Sequence, residues 1–178
     1  PFPDDDHSRL AERRPETLVQ TQSEVFPRDK YLIVPEIEGR VTAGPDGGLL
    51  YDHPQDYYPF KTSWIYRRFG RDPHHHKALV LVRVSGESMS PTINPGELIL
   101  VDTWEQERIQ IRDGKIYLVR MPDGTITVKR LILNKENGRV NLVCISDNPS
   151  FEPFKFQVEK PLQWYVLGRI RWVGREID

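Results

Sequence analysis

Cysteine is nearly absent from this chain of 178 residues: only Cys144 is present. One thiol excludes a disulfide within the chain, so a packed core must hold the fold. Cys144 lies in the apolar run VNLVCIS, where a buried, inert thiol is expected, and a lone cysteine agrees with a reducing cytoplasm. Long hydrophobic runs are missing as well. No stretch approaches the roughly 20 apolar residues of a membrane span, and no secretory signal pattern opens the chain. Neither sign of charge dominates, because 25 Lys plus Arg face 26 Asp plus Glu. That balance provides no basic field for nucleic acid, and RLAERR and RRFGR read as solvated surface. There is no cysteine pair and no glycine-rich phosphate loop. His74, His75 and His76 are consecutive and lack the spacing of metal ligands, so a surface loop is expected there and no metal site. With His7 and His53 they complete the histidines, none of which stands in a Ser-His-Asp setting.

What is present falls into two parts. Residues 1–30 are polar, include Asp4, Asp5 and Asp6, and read as an arm or linker with room for one short helix between Ser8 and Ser23, interrupted at Pro15. The chain starts at Pro1, not Met, and is expected to be a piece of a longer protein. Residues 31–178 read as one mostly β domain, compact and antiparallel, with short helical turns. KYLIVPEI, ALVLVRVSG, GELILVDT, GKIYLVRM, TITVKRLILN, RVNLVCIS, FQVE and WYVLGRIRWVG are strand-like. The segments NPG, IRDG, PDG, NKENG and DNPS between them supply turn chemistry. Asp123-Gly124 is expected to close a hairpin. TSWIYRRFG is the clearest helix, with Thr62 or Ser63 as N-cap and Gly70 at its end. The rest of residues 52–77 reads as irregular, with aromatics suited to packing.

Three places carry candidate chemistry. In VSGESMSPT, Ser88 sits among turn formers, so a hydroxyl serving the local backbone is the simplest reading. In TITVKRL the pleat places Thr125, Thr127, Lys129 and Leu131 on one face and Ile126, Val128 and Arg130 on the other. Which face is buried is open at this level. A strand lysine is ordinarily exposed, but an inward Lys129 would lose its charge more readily and act as a base. In RVTAGPDGG, the Ala43-Gly44 bond lies in a small-residue stretch that a nucleophile can reach.

Together, RVSGESMSPTINPGELILVD and the downstream ITVKRL resemble the C-terminal domain of LexA and phage-type repressors, the Ser-Lys self-cleaving family. PFKTSWIYRRFGRDP, IRDGKIYLVRM, ISDNPSFEPF and LGRIRWVGR fit the same resemblance, which runs from about Tyr31 to Arg175. The aromatic stretch Tyr51–Phe60 matches less clearly. The resemblance implies a LexA- and signal-peptidase-like β fold, with Ser88 as nucleophile and Lys129 as general base. It implies Ala43-Gly44 as the self-cleavage site and the backbone N–H groups of Glu87 and Ser88 as oxyanion donors. The implied activity is that of a serine endopeptidase acting on its own chain, without cofactor, in a cytoplasmic homodimer. Operator DNA would be bound through a helix-turn-helix upstream of Pro1, and a RecA-like recombinase filament on single-stranded DNA would promote cleavage. A second reading is a non-catalytic dimerisation module of a repressor governed by another factor. A third, a signal peptidase relative, would need an apolar anchor or insertion surface that is not visible in the sequence.

Overall fold

The computed structural model describes residues 27, 29–37, 42–43, 49–50 and 53–177. The expected arm and its short helix therefore lie outside the described residues, apart from the last few positions before Tyr31. The strands are β1 (Tyr31–Ile37), β2 (Thr42–Ala43), β3 (Leu49–Leu50), β4 (Asp56–Lys61), β5 (Leu79–Arg83), β6 (Leu98–Asp102), β7 (Ile116–Arg120), β8 (Ile126–Glu136), β9 (Arg139–Ile145), β10 (Phe154–Gln157) and β11 (Val166–Gly174). Among the described residues four short helices accompany them: α1 (Thr62–Phe69), α2 (Pro73–His76), α3 (Glu105–Ile109) and α4 (Leu162–Tyr165). The mostly β class expected from the sequence is the class observed.

Nine strands form one sheet in the order β10-β9-β8-β7-β11-β6-β5-β1-β4, and β2 pairs separately with β3. Among the described residues all pairings are antiparallel except one: β1 runs parallel to β5, with Glu36 opposite Leu81 and Ile37 opposite Val82. The antiparallel β domain expected from the sequence thus forms, with this one parallel ladder added to it. A parallel pair needs a long crossover, and the chain from residue 38 to 78, with β4, α1 and α2 in it, supplies one.

β5 reads LVLVR and β6 reads LILVD, apolar runs too continuous for a sheet with one wet face. Both faces are covered. Val80, Val82, Ile99 and Val101 join Leu118, Val128 and Leu167 in one cluster. Leu79, Leu81, Leu98 and Leu100 meet Ile65 and Phe69 of α1 in a second. A third gathers Tyr117, Val119, Leu131, Leu142, Cys144, Tyr165 and Val166.

Several local expectations change. α1 begins one residue earlier than the proposed cap: its N-cap is Lys61, with no side-chain capping bond, and Thr62 is already helical and buried. Gly70 ends it at φ 76° as expected. The aromatic stretch before α1 is partly strand β4, with Pro59 opposite Ile33. Proline is tolerated there because β4 is the sheet edge. The histidine triplet is a helical turn, not a solvated loop, capped by Asp72, whose carboxylate accepts from the His74 amide at 2.8 Å. His76 turns inward to the Gly70 carbonyl, and His75 to Asp102 at 3.0 Å. Asp102 is fully buried and also receives Arg171 at 3.1 Å and the Trp104 amide at 3.2 Å. A buried carboxylate needs such partners, and these tie α2 and β11 to the end of β6. The Asp123-Gly124 hairpin forms as expected, with the Thr125 amide donating to Asp123 at 2.9 Å and Gly124 at φ 89°.

β11 and β6 approach closely at Gly168. A Cβ there would lie 2.6 Å from Val101 Cγ1 and 2.8 Å from the Asp102 carbonyl oxygen, a contact relieved only by moving backbone. Gly168→Ala is expected to destabilise the chain by about 1–3 kcal/mol. Gly86→Ala, which would meet nothing within 4 Å, should stay within about 0.5 kcal/mol. Urea unfolding of the two variants beside the parent checks this.

Candidate functional site

Ser88 lies in the segment between β5 and β6, where Val84 returns to a backbone bond with Glu97 and the chain between them forms turns. The turn reading of this serine is thus correct for its backbone. Its side chain is half-buried and lines a cleft of about 210 Å³, walled by Val82, Val84, Leu118, Ile126 and Val128. The Ser90–Pro91 bond that follows is cis. The carbonyls of Glu87 and Ser88 both accept hydrogen bonds, from the Asn148 carboxamide and the Asn148 amide, each at 3.1 Å. Among the described residues, the N–H groups of Glu87 and Ser88 donate none.

Lys129 follows Val128 in β8 and stands opposite Tyr117 of β7. It is half-buried, on the face that carries Leu131 and Cys144 of the third cluster. The sequence left the burial of this face open, and the structure turns it inward. Burial lowers the Lys129 pKa from the ordinary 10.5, against a small opposing pull from Cys144. Its ammonium donates to Ser146 Oγ at 3.0 Å and lies 5.7 Å from the centre of the Phe151 ring. It makes no hydrogen bond to Ser88, and Lys129 is not part of the cleft wall.

What Ser88 and Lys129 share is a turn. After β9 the chain runs Ser146-Asp147-Asn148, and each residue reaches a different part of the site. Ser146 receives the Lys129 amine, and Asn148 holds the two carbonyls at Glu87 and Ser88. Asp147 takes Arg130 through two bonds, 2.9 and 2.6 Å, and is also bonded by Thr92 at the end of the serine segment. Asp147 and Asn148 were legible in the sequence as a turn signal, DNPS, and Ser146 as the end of the strand-like RVNLVCIS, and nothing in either announced what they would touch.

Of the remaining expectations, Ala43 lies in β2, paired with Leu49 of β3, while Gly44 falls outside the described residues. Cys144 is buried, and burial pushes its thiol up to about 11, which makes it inert. Among the described residues no group of three His, Cys, Asp or Glu is placed to hold a metal ion, and no helix is long and apolar enough to cross a membrane.

The Asp147 carboxyl is held below its ordinary 3.8, chiefly by the Arg130 hydrogen bonds. A lowered carboxyl pKa contributes stability above the unfolded value and loses it as pH falls through the folded one. Asp147→Asn is therefore expected to cost about 1–2 kcal/mol at neutral pH. The difference from the parent should shrink progressively below the ordinary carboxyl value. Urea midpoints measured across that range decide it; a pH-independent gap would mean that Arg130 does not set the Asp147 charge.

Residues 35–171 match the family described as Peptidase S24-like. Over 94 residues the chain is 31% identical to the 26 kDa repressor protein of Escherichia phage HK022, a stretch that covers 53% of this chain and 37% of that relative.

Proposed function

The chain belongs to the Peptidase S24-like family, and from that premise we propose that it is the self-cleavage and dimerisation domain of a transcriptional repressor. In this reading Ser88 attacks the Ala43-Gly44 bond and Lys129 takes the serine proton. The observation that carries it is the half-buried Lys129 amine in a peptidase-family domain, its charge disfavoured by burial. A neutral lysine is a competent general base, and a serine hydroxyl needs one.

The chemistry follows from the groups present. The Ser88 Oγ–H bond breaks as its proton passes to Lys129 Nζ, and Oγ bonds to the Ala43 carbonyl carbon. Negative charge then develops on the carbonyl oxygen, where the N–H groups of Glu87 and Ser88 are available to receive it. The leaving Gly44 nitrogen takes the proton from Lys129, and water later releases Ala43 from the serine ester. The apolar walls of the Ser88 cleft suit an uncharged segment such as VTAGP, and its seating would exclude water from both groups. The HK022 relative is a repressor by name, which supports a regulatory role here. DNA binding would belong to an upstream domain, pairing to a homodimer of this one, and cleavage would separate the two in the cytoplasm. A recombinase filament of the RecA type is the expected promoter of the cleaving state.

The purified chain, incubated between about pH 7 and 10, should yield two fragments divided after Ala43. The reaction should be first-order and independent of protein concentration. Its rate should rise with pH, with a midpoint below 10.5 because the base must be uncharged and its pKa is lowered. Ser88→Ala and Lys129→Ala should each slow it by at least about a thousand-fold. A chain that stays intact at every pH, with the same lifetime as Ser88→Ala, would favour the non-catalytic dimerisation module.

A further inference from the structure

The amine assigned above as the base is held by a serine other than the proposed nucleophile. Lys129 Nζ donates to Ser146 Oγ at 3.0 Å, across the end of the β8–β9 ladder. Two residues further on, Asn148 bonds the carbonyls of Glu87 and Ser88. Asp147 between them is clamped to Arg130, the neighbour of Lys129, and to Thr92, at the end of the serine segment. One three-residue turn thus grips the strand that carries the base and the loop that carries the nucleophile. We propose that Ser146 is the positioning residue for Lys129, and that the 146–148 turn sets the reach between the base and Ser88. This rests on the Ser88–Lys129 reading of the site.

The chemistry of the hydroxyl suits the task. A lysine side chain has four rotatable bonds and loses considerable freedom when held. A serine hydroxyl can accept from an ammonium and donate to a neutral amine. Ser146 can therefore stay bonded to Nζ while the proton from Ser88 arrives and leaves, which an aliphatic side chain cannot do. Among the described residues, the remaining surroundings of the amine give it no competing partner of opposite charge. Cys144 on β9 faces it as a protonated thiol, and the Phe151 ring covers it. Tyr117 on β7 turns its hydroxyl to the Arg112 amide, and Asp147 and Arg130 neutralise each other.

The test compares parent, Ser146→Ala, Ser146→Cys, Ser146→Thr and Ser88→Ala in the full chain. Two readouts are taken on each: the pH–rate profile of self-cleavage by mass, and the titration of the Lys129 side chain by NMR with labelled lysine. The Lys129 signal is assigned from its loss in Lys129→Met. Ser146→Ala should lower the alkaline plateau rate by on the order of 10- to 100-fold. It should also move the Lys129 titration to lower pH, by about half a unit or more, because the ammonium loses its acceptor. Ser146→Thr should restore both. Ser146→Cys, which keeps the size but bonds weakly, should shift both in the direction of the alanine variant and serves if Ser146→Ala fails to fold. A Lys129 titration unchanged in the alanine and cysteine variants overturns the proposal. Cleavage that survives Ser88→Ala and is lost in Ser146→Ala also overturns it, by making Ser146 the nucleophile. If the parent never cleaves but its Lys129 titration still follows Ser146, the positioning stands and the self-cleavage reading falls.

Discussion

The pairing register of β8 is the constraint on which the rest of the site depends. In this strand Lys129 and Leu131 share one face, and Val128 belongs to the other. A slip of one residue would exchange the faces. It would drive Val128 toward Cys144 and Tyr117, and it would put the Lys129 ammonium into the cluster built by Val82, Ile99 and Leu118. Turns pin the register at both ends. Asp123 and Gly124 close the hairpin to β7, and Asn137 and Gly138, both at positive φ, close the one to β9. Arg130 adds a lock from the side, joined to Asp147 and to the Gly114 carbonyl.

A charged side chain on an inward face is costly, and the fold limits that cost rather than removing it. Lys129 is only half-buried, keeps one hydroxyl acceptor and lies near an aromatic face. Among the described residues no carboxylate neutralises it, unlike Arg130 beside it. That difference between adjacent residues is what lets burial disfavour the Lys129 charge, while the Arg130 guanidinium is paired with Asp147. The fully buried Asp102 shows the opposite arrangement elsewhere in the molecule: several donors converge on it, and it serves the fold.

Most strands were legible because period-two and continuous apolar patterns survive the tertiary context. β1, β5, β6, β7, β9 and β11 all fall within their expected segments, and β8 runs two residues past its own. β4 was hidden by Pro59 and by tyrosines that suggested irregular packing, since edge pairing is invisible without its partner. The histidine triplet misled for a related reason. Its composition reads as polar loop, but Asp72 caps it and Asp102, fixed at the end of β6, draws His75 inward. The short α3, with Arg108 buried, had too few residues to show a helical period. In the site, Ser88 and Lys129 stood out through motif resemblance, whereas Ser146 looked like a strand end and Asp147 and Asn148 like any other turn.

By itself, the sequence determined most of the strands, the Asp123-Gly124 hairpin, the turn signal that holds Asn137-Gly138, and the family through the serine segment and ITVKRL. These are local properties, set by pleat, turn chemistry and short motifs. Tertiary structure alone decided the parallel β1–β5 pair, the inward face of Lys129 and the turn that touches both catalytic candidates. Those depend on contacts between distant parts of the chain: Asn148 meets Glu87 across 61 positions, and Lys129 meets Ser146 across 17. No local pattern encodes which hydroxyl receives a lysine amine, because that partner is chosen by the register of one ladder and the path of the chain after it.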